Sequence, residues 1–322
     1  MKYRKLGRTG FLVSEVGFGG WGIGGALWKG GQDAESIAAV RRAIELGINF
    51  IDTALVYGDG HGERQVAEAL RDAGQKIYVA TKVPPKNLEW PARPGTRIEE
   101  VFPYDHIVSS TEQSLRNLRV DGLDLQQLHV WNPEWAGSAE WRRAFEDLKR
   151  SGKVRAAGVS VNDHQPDSAI EVLRSGLIDT VQVIYNIFDQ SAERGLFRVA
   201  QEHNIGVIAR SPLDEGGLTA RITPDTEFYA GDFRGRYFAG ERKRQVAGRV
   251  AALRRDLGIS EDALPEAALR FCLSHPAVST VIPGMRSRRN AEANAAVPEL
   301  GPLPEAMLEV VKHHAWERNF YA

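Results

Sequence analysis

Asn49-Phe50-Ile51-Asp52-Thr53-Ala54-Leu55-Val56-Tyr57-Gly58-Asp59-Gly60 opens as a short buried strand, ends that strand on a carboxylate and leaves into a glycine-flanked loop carrying a phenol. A carboxylate at the end of a buried strand is costly unless a cation pairs with it. The stretch therefore predicts both a strand and a partner for Asp52.

Outward from it, strand-like runs recur at Glu15–Gly19, Ile77–Val83, Leu123–Val130, Val154–Val161, Thr180–Tyr185, Gly206–Ala209 and Ser279–Ile282, which with Asn49–Thr53 makes eight. Between them apolar residues fall at helical spacing: Ile37, Val40, Ile44; Ile107, Thr111, Leu115, Leu118; Trp141, Phe145, Leu148; Leu196, Val199, Ala200; Leu264, Ala268, Phe271. Strand and helix in alternation imply a parallel sheet with crossover helices, and eight such units close a barrel. The expected fold is thus α/β, a (β/α)8 TIM barrel, with residues 1–322 as one domain.

Three segments lie outside the repeat. Residues 3–16 read as an N-terminal β-hairpin turning on Gly7-Arg8-Thr9-Gly10. After Ser211-Pro212-Leu213 an insertion to about Ala239 is rich in glycine and aromatics, and a basic amphipathic helix follows with Val246, Val250, Leu253 and Leu257 on one face. The Arg and Lys run at 242–255 reads as the solvated face of that helix. Pro304–Trp316 reads as an extra C-terminal helix. Long loops at the C-terminal face of a barrel usually wall the site.

With 41 basic and 42 acidic residues the net charge is −1, which gives no electrostatic reason to expect nucleic acid or an anionic membrane. The single cysteine, Cys272, excludes an internal disulfide and a thiolate metal cluster. The N-terminus lacks an apolar signal core and no long apolar run occurs, so the expectation is a soluble, cytoplasmic protein acting on a small molecule. Gly17-Phe18-Gly19-Gly20-Trp21-Gly22 satisfies the dinucleotide pattern GxGxxG, yet Gly24, Gly25, Gly30 and Gly31 keep the chain irregular until about Asp33. A Rossmann turn would pass at once into a helix, so that reading is rejected.

Alternation within strands then locates the chemistry. If Asp52 points into the barrel, Ile48 and Phe50 share its side and Ile51 faces the helices; Tyr78, Ala80 and Lys82 share a face, as do Gln127 and His129. A carboxylate, an ammonium and an imidazole thus end three neighbouring strands, with Tyr57 in the loop beside them. Taken singly, these would read as a salt bridge, a core histidine and loop packing. Together on one rim they suit proton transfer to or from an alcohol or carbonyl oxygen. The ammonium is expected to lower the phenol's pKa, the carboxylate to hold the ammonium charged, and a neutral imidazole to donate to the substrate oxygen. Carbonyl reduction also needs a hydride, which no side chain supplies, so a nicotinamide cofactor is implied.

Phe50-Ile51-Asp52-Thr53-Ala54 with Val56-Tyr57-Gly58, Ala80-Thr81-Lys82-Val83 and Leu128-His129 resemble the motifs of the aldo-keto reductases, NAD(P)(H)-dependent (β/α)8-barrel oxidoreductases. The resemblance runs from the N-terminal hairpin to the region of Asn294. It implies Tyr57 as general acid, Asp52 and Lys82 tuning it, and His129 orienting the carbonyl. It places Gly20 and Trp21 near the nicotinamide ribose, Asp52 beside the cofactor, and Ser160 and Gln182 on the carboxamide. Ser211, Leu213 and Gly216 would cover the pyrophosphate, and Gly284, Arg286, Asn290 and Asn294 the adenosine end. Arg286, with Arg288 as a second candidate, suits a 2′-phosphate, which favours NADP(H) over NAD(H). Two departures stand out: Val161 separates Ser160 from Asn162, leaving open which side chain completes the carboxamide contact, and Arg210 stands where many members stack an aromatic ring. A guanidinium can stack in its place. Trp28, Trp131, Trp135 and Phe188 are candidate substrate-pocket residues.

The reading is an NADP(H)-dependent reductase of aldehydes or ketones; the family default is a monomer. The alternative is an NADP(H)-occupied binding or regulatory subunit with vestigial turnover. A metal-dependent barrel hydrolase or isomerase is disfavoured, because no His or carboxylate cluster with ligand spacing is present and no metal is expected.

Overall fold

Strands and helices alternate along the computed structural model, which describes residues 1–25, 27–71 and 73–317. Two antiparallel strands come first, β1 (Tyr3–Lys5) and β2 (Leu12–Ser14). Eight parallel strands follow: β3 (Phe18–Gly19), β4 (Phe50–Asp52), β5 (Tyr78–Val83), β6 (Leu123–Leu128), β7 (Val154–Ser160), β8 (Thr180–Ile184), β9 (Gly206–Arg210) and β10 (Val278–Val281). Each pairs with its sequence neighbour, and the ends of the series meet through parallel bridges Val16 to Val281 and Gly19 to Gly284. Gly17 N donates to Val281 O at 2.8 Å and Val281 N to Glu15 O at 2.9 Å. The sheet closes into the expected (β/α)8 barrel.

The strands are apolar on both faces because both are covered. Phe50, Ala80, Leu125, Ala156, Ile208 and Ile282 fill the inside, together with Leu6, Phe11 and Val13 from the hairpin. The hairpin is thus the barrel's plug: Phe11 stacks on Tyr78 at 4.6 Å between ring centroids, and Arg8 N donates to Asn204 O. Gly7 is required there, since its φ is +51° and a Cβ would lie 2.1 Å from Gly206 N. Ile51, Val79, Leu128 and Val159 face outward into the larger cluster under the helices. Ile48 also packs in that outer cluster rather than sharing the inner face of Asp52, because it precedes β4 and strand alternation does not extend to it.

The helices follow their periodicity. In Ala139–Arg150, Trp141, Ala144, Phe145 and Leu148 are buried on one stripe, and the Ser138 side chain caps the first turn by accepting from Glu140 N. The helix stops at Ser151 before Gly152, whose φ is +76°. The basic helix spans Arg242–Leu257 and buries Val246, Val250 and Leu253 as expected. Arg242 departs from the solvated reading of this run: it is 5% exposed and bonds Asp214 and Tyr237. The C-terminal helix covers Glu305–Lys312. No helix among the described residues is long and apolar enough to cross a membrane.

Two loops meet at the C-terminal ends of the strands. Phe233 N, in the insertion after β9, donates to Leu27 O at 2.7 Å, and the Asp232 carboxylate accepts from Lys29 N at 3.0 Å. Both loops line the cavity into which Gly19, Asp52, Ser160 and Arg210 end their strands.

Candidate active site

Lys82 is fully buried, and its Nζ donates to Asp52 Oδ2 at 2.6 Å, Thr53 O at 2.7 Å and Tyr57 Oη at 3.4 Å. The cation that Asp52 requires is therefore on the adjacent strand, in the register that pairs Asp52 with Ala80, two residues before Lys82. Asp52 Oδ1 accepts from Gln182 Nε2 at 2.7 Å and from Gln127 Nε2 at 3.5 Å. Both carboxylate oxygens of this 3% exposed group are thus satisfied.

Alternation gives Thr81 the opposite task. Its Oγ1 donates to Glu63 Oε1 at 2.6 Å, and Asn117 Nδ2 donates to Glu63 Oε2 at 2.7 Å. This ties the helix that follows Tyr57, His61–Leu70, to β5 and so fixes the approach of the tyrosine loop. Gly58 makes the turn at φ +66°, and a Cβ there would lie 2.1 Å from Gly24 O. The glycine-rich loop after β3 is consequently pressed onto Tyr57, with Trp21 over the phenol at 6.4 Å. The His129 ring meets Tyr57 edge-on at 5.8 Å, just beyond the end of β6.

Burial governs the protonation states. Burial pushes the His129 imidazole well below its usual 6.5, with Lys82 and Arg210 acting in the same direction, so the ring is neutral at pH 7. Burial opposes the charge on Lys82, but Asp52 and Tyr57 together outweigh it and the ammonium's pKa is raised. For Tyr57 the expected direction is reversed. Burial raises the phenol above 10.0 more than Lys82 lowers it, and the nearby Asp52 adds to the rise. The ammonium is 3.4 Å from the phenol but 2.6 Å from the carboxylate, so most of its field is already compensated. The phenol stays protonated.

Asp52, Tyr57 and His129 line a cavity of about 850 Å³, and Lys82 lies fully buried behind them. Gly20, Trp21, Ser160 and Gln182 line it, as do Arg210, Ser211, Leu213 and Gly216 from β9 and its loop. Gly284, Arg286 and Asn290 line it further along. Asn294 is buried but outside this lining, and Arg288 faces a separate surface groove with Arg42 and Glu292. Asn162 reaches the cavity, but its amide is spent on Ala92 N and O and on Gln165. Arg210 is held to Asp163 Oδ1 at 2.5 Å and to Val161 O at 3.1 Å.

Of the aromatic candidates, Trp28 lines the cavity, with the Arg234 guanidinium 4.5 Å and that of Arg286 6.0 Å from its ring. Trp131, Trp135 and Phe188 do not. The two tryptophans pack edge-on to each other in the outer core, and Phe188 packs on Trp316. Trp90, Leu88 and Phe233 line the cavity instead, and the first of these meets His129 edge-on at 5.8 Å. No spacing rule marks such loop residues; their only sequence signal is position after a strand end.

The cavity fits a dinucleotide on its own chemistry. Its mixed polar and apolar lining includes both Asp52, Tyr57 and His129 and a half-buried guanidinium, Arg286, whose pKa is lowered by burial and by neighbouring Arg234, an environment an anion would relieve. Buried Nδ1 of His129 and Oε1 of Gln127 have no partner among the described residues. No group of three or more His, Cys, Asp or Glu among the described residues could hold a metal ion.

Residues 15–315 match the family model described as the aldo/keto reductase family. The chain is 32% identical over 240 residues to aldo-keto reductase YhdN of Bacillus subtilis (strain 168), covering 73% of this chain and 69% of that protein. It is 33% identical over 239 residues to the NADH-specific methylglyoxal reductase of Escherichia coli (strain K12), covering 70% and 71%. The solved holo form of aldo-keto reductase AKR11C1 from Bacillus halodurans aligns with a TM-score of 0.77 at 31% identity over 98% of this chain and 96% of that one.

Proposed function

The chain belongs to the aldo/keto reductase family of nicotinamide-dependent oxidoreductases, and from that premise we propose that it reduces an aldehyde or ketone to an alcohol with NADP(H). The observation that carries this reading is the buried Lys82, whose ammonium touches at once Asp52 and Tyr57, both of which line the cavity.

The bound nicotinamide supplies the hydride, which no side chain can. Tyr57 gives its proton to the carbonyl oxygen as negative charge develops there. Its raised pKa keeps that proton in place at neutral pH and so suits the reductive direction. Lys82 stabilises the phenolate left behind, and Asp52 acts through it by keeping that ammonium charged and oriented before the proton moves. Neutral His129 donates a hydrogen bond to the same oxygen and sets its angle to Tyr57.

Gly20 and Trp21 border the ribose in this reading, and Ser160 and Gln182 hold the carboxamide, Asn162 being engaged elsewhere. The Arg210 guanidinium, fixed by Asp163, would offer a planar face to the nicotinamide ring. Ser211, Leu213 and Gly216 cover the diphosphate, and Gly284, Arg286 and Asn290 take the adenosine end. The preference for NADP(H) rests on Arg286, and it is set against a relative named NADH-specific. Trp28 and Trp90 favour a small carbonyl compound with an apolar or aromatic substituent. The single buried Cys272 suits work in the reducing cytoplasm.

Purified protein should oxidise NADPH with a panel of small aldehydes and diketones. Tyr57→Phe should lower turnover by about 10²- to 10⁴-fold while nucleotide binding persists. An unchanged rate would remove Tyr57 as the acid.

A further inference from the structure

The loop after β9 carries four non-glycine residues in the left-handed region: Ser211 at φ 49°, Asp214 at 47°, Glu215 at 54° and Ala220 at 59°. Such backbone is sparsely populated and persists where surrounding contacts impose it. Here it turns the two consecutive carboxylates in different directions. Asp214 points away from the cavity, where Tyr237 and Arg242 bond it. Glu215 points into the cavity beside Ser211, Leu213, Gly216 and Thr219, and its Oε1 accepts from Ser211 Oγ at 2.6 Å.

The groups facing Glu215 leave its charge poorly compensated. Arg210 from β9 is the cation in range, and Asp163 from the loop after β7 already holds it at 2.5 Å. Asp163 and Asp214 are themselves carboxylates, and Tyr237 from the short helix Phe233–Tyr237 adds no positive charge. Arg242 bonds the other carboxylate. An anion seated beside Ser211 and Gly216 meets this carboxylate directly, with Arg210, Arg221 and Arg236 on the wider lining.

We propose that Glu215 couples nucleotide binding to a proton: a dinucleotide seats its diphosphate against residues 211–219 only when Glu215 has taken up a proton from solvent, and the proton leaves when the nucleotide does. The inference rests on the cavity being the nicotinamide-cofactor site. The chemistry is one protonation of one carboxylate, with no bond broken in the nucleotide. It needs no conformational change, since the protonated carboxyl keeps an oxygen to accept from Ser211. Burial, with Asp163 and Asp214 adding to it, pushes the Glu215 carboxyl up to about 7, so the proton is exchanged near neutral pH. A neighbouring diphosphate raises it further.

With a free-state value near 7, the dissociation constant should weaken by about 30-fold between pH 6 and pH 8.5. Calorimetric titration of the full chain with NADH and with NADPH, at pH 8 in two buffers of different ionisation enthalpy, reads the proton directly. Uptake approaching one proton per nucleotide is expected for both, because a 2′-phosphate, with its second pKa at about 6, is already ionised there. Glu215→Gln keeps the acceptor for Ser211. It should abolish the uptake, flatten the pH dependence and bind more tightly than the parent at pH 8.5. Binding without proton uptake by the parent protein, or the same uptake by Glu215→Gln, overturns the proposal. Failure of both nucleotides to bind sinks the cofactor reading beneath it as well.

Discussion

Gln182 donates its side-chain amide to Asp52 Oδ1 at 2.7 Å, so the residue expected to hold the nicotinamide carboxamide also supports the carboxylate that keeps Lys82 charged. Both side chains are buried. Gln182→Leu would leave Oδ1 with Gln127 at 3.5 Å as its remaining partner. A lost hydrogen bond to a buried charge costs about 1.5–3 kcal/mol. Urea denaturation should show that loss, and fluorescence titration should show weaker nucleotide binding in the same variant. A variant that loses affinity at full stability would mean that Gln182 serves the cofactor alone.

The Asp52 and Lys82 pair should behave as a unit. Lys82→Met leaves a buried, uncompensated carboxylate, and Asp52→Asn leaves a buried ammonium with Thr53 O. Each should destabilise by about 3–5 kcal/mol, while the double variant should recover much of that, because replacing a buried pair is far less costly than breaking one. A double-mutant cycle by chemical denaturation measures the coupling. Additive losses would show that the pair is not coupled. Activity should be lost in all three.

The pH dependence of reduction follows from the two shifted groups. His129 must be neutral and is so above a pKa depressed well below 6.5; Tyr57 must be protonated and is so below a pKa raised above 10.0. Turnover at saturating nucleotide should therefore be flat across the interval between those two ordinary values. A bell with a limb near neutrality in that parameter would mean that one of the two groups is not shifted as described. Saturation matters, since proton-linked nucleotide affinity would otherwise bend the profile.

Tryptophans separate pocket from core. Trp90→Ala should change KM for aromatic carbonyls while leaving the melting temperature near that of the parent, since Trp90 lines the cavity and is only partly buried. Trp131→Ala should do the reverse. It removes a fully buried ring packed edge-on against Trp135 and Trp141 and should cost about 3–5 kcal/mol with kinetics little altered. Thermal denaturation beside steady-state kinetics distinguishes the two. A kinetic defect in Trp131→Ala at unchanged stability would restore it to the pocket.

The same contrast between periodic strand and irregular loop separates what the amino-acid sequence makes legible from what it hides. Parallel strands covered on both faces leave apolar runs between turn signals, so all eight were legible, and period-two alternation placed Asp52, Lys82 and Gln127 on the inner face. Alternation ends with the strand. It gave Ile48 the wrong side, and no period governs Trp131 or Trp135, which follow β6 in irregular chain and a single 3-10 turn. The direction of the Tyr57 shift was hidden for another reason. It depends on how deeply the loop after β3 buries the phenol, which is tertiary packing rather than pairwise charge. Arg242 is the converse case: its basic neighbours read as solvated, and only the fold brings Asp214 and Tyr237 to it.

Cofactor choice is the sharpest remaining test of the site, and it turns on Arg286. Its Nη1 donates to Lys29 O at 2.7 Å, which fixes the guanidinium at the cavity wall, and Arg234 stands across the Trp28 ring. Arg234 is engaged by Asp232, and Arg286, with the exposed Glu35 in range but bonded to no carboxylate among the described residues, presents a guanidinium that a 2′-phosphate would pair with. Arg286→Ala should weaken NADPH binding by about 10- to 100-fold, the equivalent of one charge-assisted contact, while NADH binding changes little. Raising the ionic strength should weaken NADPH binding to the parent more than to the variant. Equal losses for the two nucleotides would mean that Arg286 contacts the shared diphosphate or adenine instead, and the NADP(H) preference would lose its basis.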